Sequence, residues 1–165
     1  MSMPKLVGIV LIVVLTSMSA WGQGNEDLYG TWRLVSYTQE ILATGEKIDV
    51  FGKAPRGFLH YSRDGRMYAI LVRAERPKPI DLTKMKDEER VELFKTVVAY
   101  GGTFTFDGKT VTHHVDISWN ENWTGTAQVR NIRLDGRKLF ISTNPMPRPE
   151  DGRPIIAVLA WEKLE

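Results

Sequence analysis

"GTFTFDGKTVTHHVDIS", residues 102–118, consists of two alternating runs joined through Asp107-Gly108. A period of two puts every second side chain on one face of a strand. Asp-Gly between two such runs is a strong short-range hairpin signal, because the turn needs residues that accept positive φ. The stretch therefore reads as two antiparallel strands. "GTAQVRNIRLDGRKLFIST" (125–143) repeats the device with Asp135-Gly136, and "GFLHYS" (57–62) and "RMYAILVR" (66–73) flank "RDG". "GTWRLVSYT" (30–38) opens the series and "RPIIAVLAWEK" (153–163) closes it.

That gives eight strand candidates. Regularly spaced antiparallel strands of this number predict an all-β, eight-stranded up-and-down barrel or a sandwich, and a closed barrel removes exposed edges. The period changes once. "DEERVELFKTVVAY" (87–100) spaces Val91, Phe94, Val97 and Val98 three to four apart behind an acidic first turn. It predicts one helix, between the third and fourth strands, with Asp87 as N-cap and Gly101-Gly102 as its stop.

The first 22 residues do not fit the barrel. Lys5 precedes ten uninterrupted apolar residues, Leu6 to Leu15, followed by "TSMSAWGQ". This is the order of a secretory signal peptide, cleaved after Ala20 or Gly22. Ten residues rise only about 15 Å as a helix against about 30 Å of hydrocarbon, which argues against a retained anchor. An exported protein, periplasmic or extracellular, is expected, with no membrane span in the mature chain and the barrel domain at 28–163.

The chain has no cysteine, so disulfides, thiolate nucleophiles and Cys-ligated metals are excluded. Met1–Gly22 holds one lysine and no acid, leaving 21 basic and 20 acidic side chains. A nearly neutral, interspersed surface gives no footprint for nucleic acid. No Gly-x-Ser-x-Gly, phosphate-cradling glycine loop or dinucleotide fingerprint occurs, and no cofactor is implied.

Gly30-Thr31-Trp32 matches the Gly-x-Trp that opens the first strand of lipocalins. The wider series, "PRGFLHYSRDGRMYA", "VAYGGTFTF", "TVTHHVDIS", "NWTGTAQVR", "LDGRKLFIST" and "AWEK", resembles the bacterial and fungal lipocalin-like domain family over nearly all of residues 28–163. The resemblance implies an eight-stranded barrel with a cavity and says little about activity. The chain departs from ordinary lipocalins in its mid-chain helix and its lack of disulfides.

Several side chains are candidates for such a cavity. Trp32 shares a face with Leu34 and Ser36 and suits a floor plug, since a barrel of this size is filled by side chains or one small ligand. Adjacent His113 and His114 must point to opposite faces, which argues against one shared metal, and a lone His beside Asp116 is too thin a ligand set. Val111 and Val115 mark the His113 face as the inner one; both histidines stay candidates.

Gln128, Arg130, Ile132 and Leu134 alternate on one strand, so an inward Leu134 brings Gln128 and Arg130 in with it. A buried arginine must be paired or useful. Arg130 either closes over Trp32 or an internal acid, or presents its guanidinium to an anionic or carbonyl-bearing ligand. Trp119 and Trp123 suit the rim of an apolar pocket, and Tyr61, Tyr68 and Tyr100 are possible phenol donors. Asn122-Trp123-Thr124 is formally a glycosylation acceptor.

Three functions follow from these residues. The first is binding of a small, largely apolar or amphipathic molecule through His113, His114, Trp123, Gln128, Arg130, Tyr61, Tyr68 and Tyr100. The second is an isomerase or cyclase with His113 or His114 as general base. The third is a closed structural barrel with no ligand.

Overall fold

The computed structural model describes residues 26–164, so the expected leader lies outside the described residues. Ten strands form: β1 Gly30–Ile41, β2 Lys47–Asp49, β3 Arg56–Tyr61, β4 Arg66–Val72, β5 Val97–Phe106, β6 Thr110–Ser118, β7 Ala127–Asp135, β8 Lys138–Ser142, β9 Met146–Pro147 and β10 Pro154–Lys163. In the order β1-β3-β4-β5-β6-β7-β8-β10 every neighbour is antiparallel, and β10 pairs back onto β1 from Trp32 opposite Lys163 to Ile41 opposite Ile155. The sheet thus closes into an eight-stranded up-and-down barrel. β2 and β9 are short additions to β1 and β10.

The registers give the barrel two unlike ends. At one end lie the tight turns 62–65, 107–109 and 136–137, along with the start of β1 and the end of β10. At the other lie the long connections 42–55, 73–96, 119–126 and 143–153. The first end is closed by packing. Trp32 and Leu28 are wholly buried, the Trp32 indole N–H donates to the Leu28 carbonyl at 2.9 Å, and the Lys163 ammonium stands 5.2 Å from the Trp32 ring centroid. Leu59, Val111, Leu139 and Trp161 fill the space above. A leucine so enclosed contributes about 1.5–3 kcal/mol by leaving water.

One helix, α1 (Asp87–Lys95), lies between β4 and β5, which are the third and fourth strands of the barrel. It is shorter than the spacing predicted. Val97–Tyr100 belong to β5, where they pair with Val72–Ala69. Those residues satisfy both a helical and an alternating pattern, and the β4 partner settles the choice. The Thr96 hydroxyl donates to the Glu92 carbonyl at 2.7 Å and ends the helix. Lys86, not Asp87, is the N-cap residue; its N–H donates to the Glu89 carboxylate at 2.9 Å. No α1 side chain is buried, and Val91 and Phe94 are 49% and 56% exposed.

Gly101-Gly102 does not stop a helix; it lies within β5, opposite a bulge in β6. The partner of Gly101 is Ile117 and that of Gly102 is Val115, which leaves Asp116 as the extra residue. A Cβ on Gly102 would lie 1.9 Å from the His114 carbonyl oxygen, so only glycine fits. β1 carries a second bulge: Leu34 faces Trp161, and Ser36 faces Ala160. The extra residue flips the alternation. Trp32 and Leu34 point inward as expected, but Ser36 does not join them, and Gln39 and Ile41 take the buried positions beyond.

Candidate functional site

A cavity of about 730 Å³ occupies the barrel above Trp161 and opens among the long connections. Its walls are mainly aliphatic, with Leu59, Ala69, Leu71, Ile141 and Leu159 among them. Trp119, Trp123 and Phe94 stand at the opening. The two indoles meet edge to face at 4.9 Å, and Trp123 meets Tyr100 in the same way at 5.5 Å. A one-turn helix at Glu121–Trp123 fixes this rim: the Asn120 side chain accepts from the Asn122 N–H at 3.2 Å, and the Trp123 N–H donates to the Asn120 carbonyl at 2.9 Å. Asn122 is exposed.

Polar groups interrupt the apolar wall, and β6 and β7 bring His113, Gln128 and Arg130 into it. His113, from β6, is 1% exposed and lines the cavity. Its Nδ1 lies 2.9 Å from the Tyr100 hydroxyl and its Nε2 lies 2.7 Å from the Tyr61 hydroxyl. Burial, with the Arg130 guanidinium next in effect, pushes the imidazole down to about 3. The ring is therefore neutral at physiological pH. Burial also raises both phenols, Tyr100 to about 12 and Tyr61 well above its ordinary value, so neither ionises at physiological pH.

Gln128 and Arg130 project inward from β7 and line the cavity. The Arg130 guanidinium donates to the Gln128 side-chain oxygen and to the Val129 carbonyl, each at 2.9 Å. The Gln128 amide in turn donates to the Thr126 hydroxyl at 2.9 Å. Among the described residues no carboxylate stands within 4.0 Å of Arg130. Arg130 does not cover Trp32 either, since Lys163 holds that place. The charge is thus hydrogen-bonded but not neutralised, at the edge of an apolar chamber.

Three of the expected ligand contacts are elsewhere. His114 points outward, as the strand alternation requires once His113 points in; its Nε2 lies 3.5 Å from the Thr105 hydroxyl. Tyr68 is 49% exposed and stacks on His60 outside the barrel, with ring centroids 5.3 Å apart. Tyr61 is inside but does not line the cavity; it lies wholly buried behind His113, against Phe104. Asp116 also faces out and pairs with Arg66 at 2.8 Å.

Other lining residues were hidden from the sequence. Tyr37 and Gln39 enter the cavity because of the β1 bulge, and Val50, Phe51 and the 143–150 connection supply more of its wall. The Arg148 guanidinium anchors that connection, donating to the Gln39 side-chain oxygen at 3.1 Å and to Asp151 at 2.6 Å. Only the Tyr37-Gln39-Ile41 alternation could have revealed these positions, and it competes with the equally regular Trp32-Leu34-Ser36.

Among the described residues no three His, Asp or Glu side chains gather as a metal site, and no helix is long and apolar enough to cross a membrane. A family model described as a lipocalin-like domain matches residues 29–164. A search of curated proteins finds no match.

Proposed function

Because residues 29–164 make this chain a member of the lipocalin-like domain family, whose barrel implies ligand binding in general, we propose that it is an exported carrier of a small amphipathic molecule. The apolar part of the ligand fills the aliphatic chamber, and its polar, preferentially anionic end meets Arg130. One observation carries this reading: the inward guanidinium of Arg130 has hydrogen bonds only to neutral oxygens, in a cavity whose lining is predominantly apolar. A charge kept without a counterion is costly, and an anionic ligand supplies the missing partner with a charge-assisted hydrogen bond. Each methylene buried beside it adds about 0.8 kcal/mol. Export rests on the Lys5 and Leu6–Leu15 pattern of the leader.

The general-base alternative finds no favouring observation. Both His113 nitrogens are occupied by phenols, and an imidazole held near 3 is a weak base at neutral pH. The filled-barrel alternative conflicts with a chamber of this size.

The test is calorimetric titration of residues 23–165 with decanoate and with decanol. Carrier function predicts that both bind and that decanoate binds more tightly. If neither binds, or if the two bind equally, the proposed role of Arg130 is wrong.

A further inference from the structure

Resting on that reading, the hydrogen-bond geometry around His113 points to a directed donor inside the cavity: we propose that Tyr100 offers its hydroxyl proton to the ligand, and that the ligand therefore carries a carbonyl-type acceptor beside its apolar body. The argument is a count of protons. A neutral imidazole bears one N–H and one lone pair, and here each ring nitrogen faces one phenol. The protein must choose which phenol donates to the ring and which accepts from it.

Tyr61 decides. It is wholly buried, and His113 Nε2 is the one polar partner of its hydroxyl among the described residues. If Nε2 carried the proton, the Tyr61 oxygen would accept it and the Tyr61 O–H would point at nothing. A buried hydroxyl proton without an acceptor carries its full desolvation cost, so the arrangement that satisfies it prevails. With Tyr61 donating to Nε2 instead, the imidazole proton sits on Nδ1 and is donated to the Tyr100 oxygen. The chain then runs one way, from Tyr61 through His113 to Tyr100, and its last proton is the one on the Tyr100 hydroxyl.

That last proton has no acceptor among the described residues, since His113 is the one hydrogen-bond partner of the Tyr100 hydroxyl. Unlike Tyr61, however, Tyr100 lines the cavity. The unsatisfied donor is thereby placed where a bound molecule can reach it. Hydrogen bonds in such a chain polarise one another, so Tyr100, accepting from His113, is a better donor than an isolated phenol. Trp123 edge-on to the Tyr100 ring limits where that ring can move. Tyr61 never touches the ligand; it is a positioning residue that acts by fixing the histidine tautomer.

Two measurements test this, and the first needs no ligand. Long-range proton–nitrogen correlation spectra of the histidine-labelled protein at neutral pH should show His113 with a protonated Nδ1 and a bare Nε2; a protonated Nε2 overturns the proposal. In Tyr61→Phe the fixed tautomer should give way to a mixture, a change that loss of packing alone would not produce. The second measurement compares nonyl methyl ketone with the isosteric alkene in which =CH2 replaces the carbonyl oxygen. The wild type should prefer the ketone by roughly fivefold, and Tyr100→Phe should abolish that preference while leaving the alkene unaffected. Equal binding of the pair by the wild type overturns the donor role. If neither probe enters, the carrier reading falls, and the tautomer still decides whether the directed chain exists.

Discussion

Gln128 and Arg130, two residues apart on β7, form one unit: the side-chain oxygen of the first accepts from the guanidinium of the second at 2.9 Å, and both face the cavity. The pairing orients the arginine without discharging it. Replacing Arg130 by Gln should weaken decanoate binding by roughly tenfold or more while changing decanol binding little, because only the anion exploits the charge. The same change should leave the unfolding midpoint unchanged or raised, since a partly desolvated cation is removed. Calorimetry and urea melts of the same sample check both halves.

His113 makes folding sensitive to acid. Between its ordinary 6.5 and its native value of about 3, the unfolded chain binds a proton at this ring and the native barrel does not. The unfolded state is the better proton acceptor throughout that window, so stability is fully present above 6.5 and is lost as the pH falls. The slope is at most about 1.4 kcal/mol per pH unit. Asp107 and Asp151, held near 2 chiefly by hydrogen bonds from Thr110 and Arg153 respectively, enter only below their ordinary 3.8. Urea melts of wild type and His113→Gln between pH 7 and 5 should converge in slope if another group is responsible.

Gly102→Ala should be far more harmful than Gly101→Ala. The first Cβ would collide with the His114 carbonyl and the Asp116 N–H across the bulge, and the second would meet the Met67 carbonyl at a tolerable 3.3 Å. A loss of about 3 kcal/mol or more for Gly102→Ala, against about 1 for Gly101→Ala, is expected in denaturant titrations. Similar values for both would mean that β5 relaxes at the bulge.

Val91→Ser should matter little, within about 0.5 kcal/mol, because α1 buries none of its side chains. A larger loss in thermal melts would mean that the helix packs more closely than its exposure indicates.

The fold was legible where local chemistry and tertiary pairing agree. The Asp107-Gly108 and Asp135-Gly136 turns are dictated by their own residues, and both glycines adopt positive φ, 93° and 57°. Val111 and Val115 likewise identified His113 as the inner histidine, and that residue is buried while His114 is not. The bulges were not legible, because a register slip depends on which strand lies alongside and not on the segment itself. Hence the alternation groups Ser36 with Trp32, and nothing local to β1 brings Tyr37 and Gln39 inward. The helix ends earlier than its spacing predicts for a related reason: Val97 and Val98 suit either period until β4 is there to pair with them. Tyr68 illustrates a third limit. Its ring is as suitable for a pocket as that of Tyr100, but the parity of β4 directs it to the outer surface, onto His60.

Both ends of the described chain leave from the plugged floor. The Lys163 ammonium donates to the Asp27 carbonyl at 2.7 Å and the Leu164 N–H donates to the Thr31 carbonyl at 2.9 Å, so the two termini are stitched together beneath Trp32. A tether attached at either terminus therefore grips the barrel by its base. A molecule immobilised in this way would hold its opening away from the support, free to exchange cargo, and a fusion at one terminus would crowd the other before it obstructed the mouth.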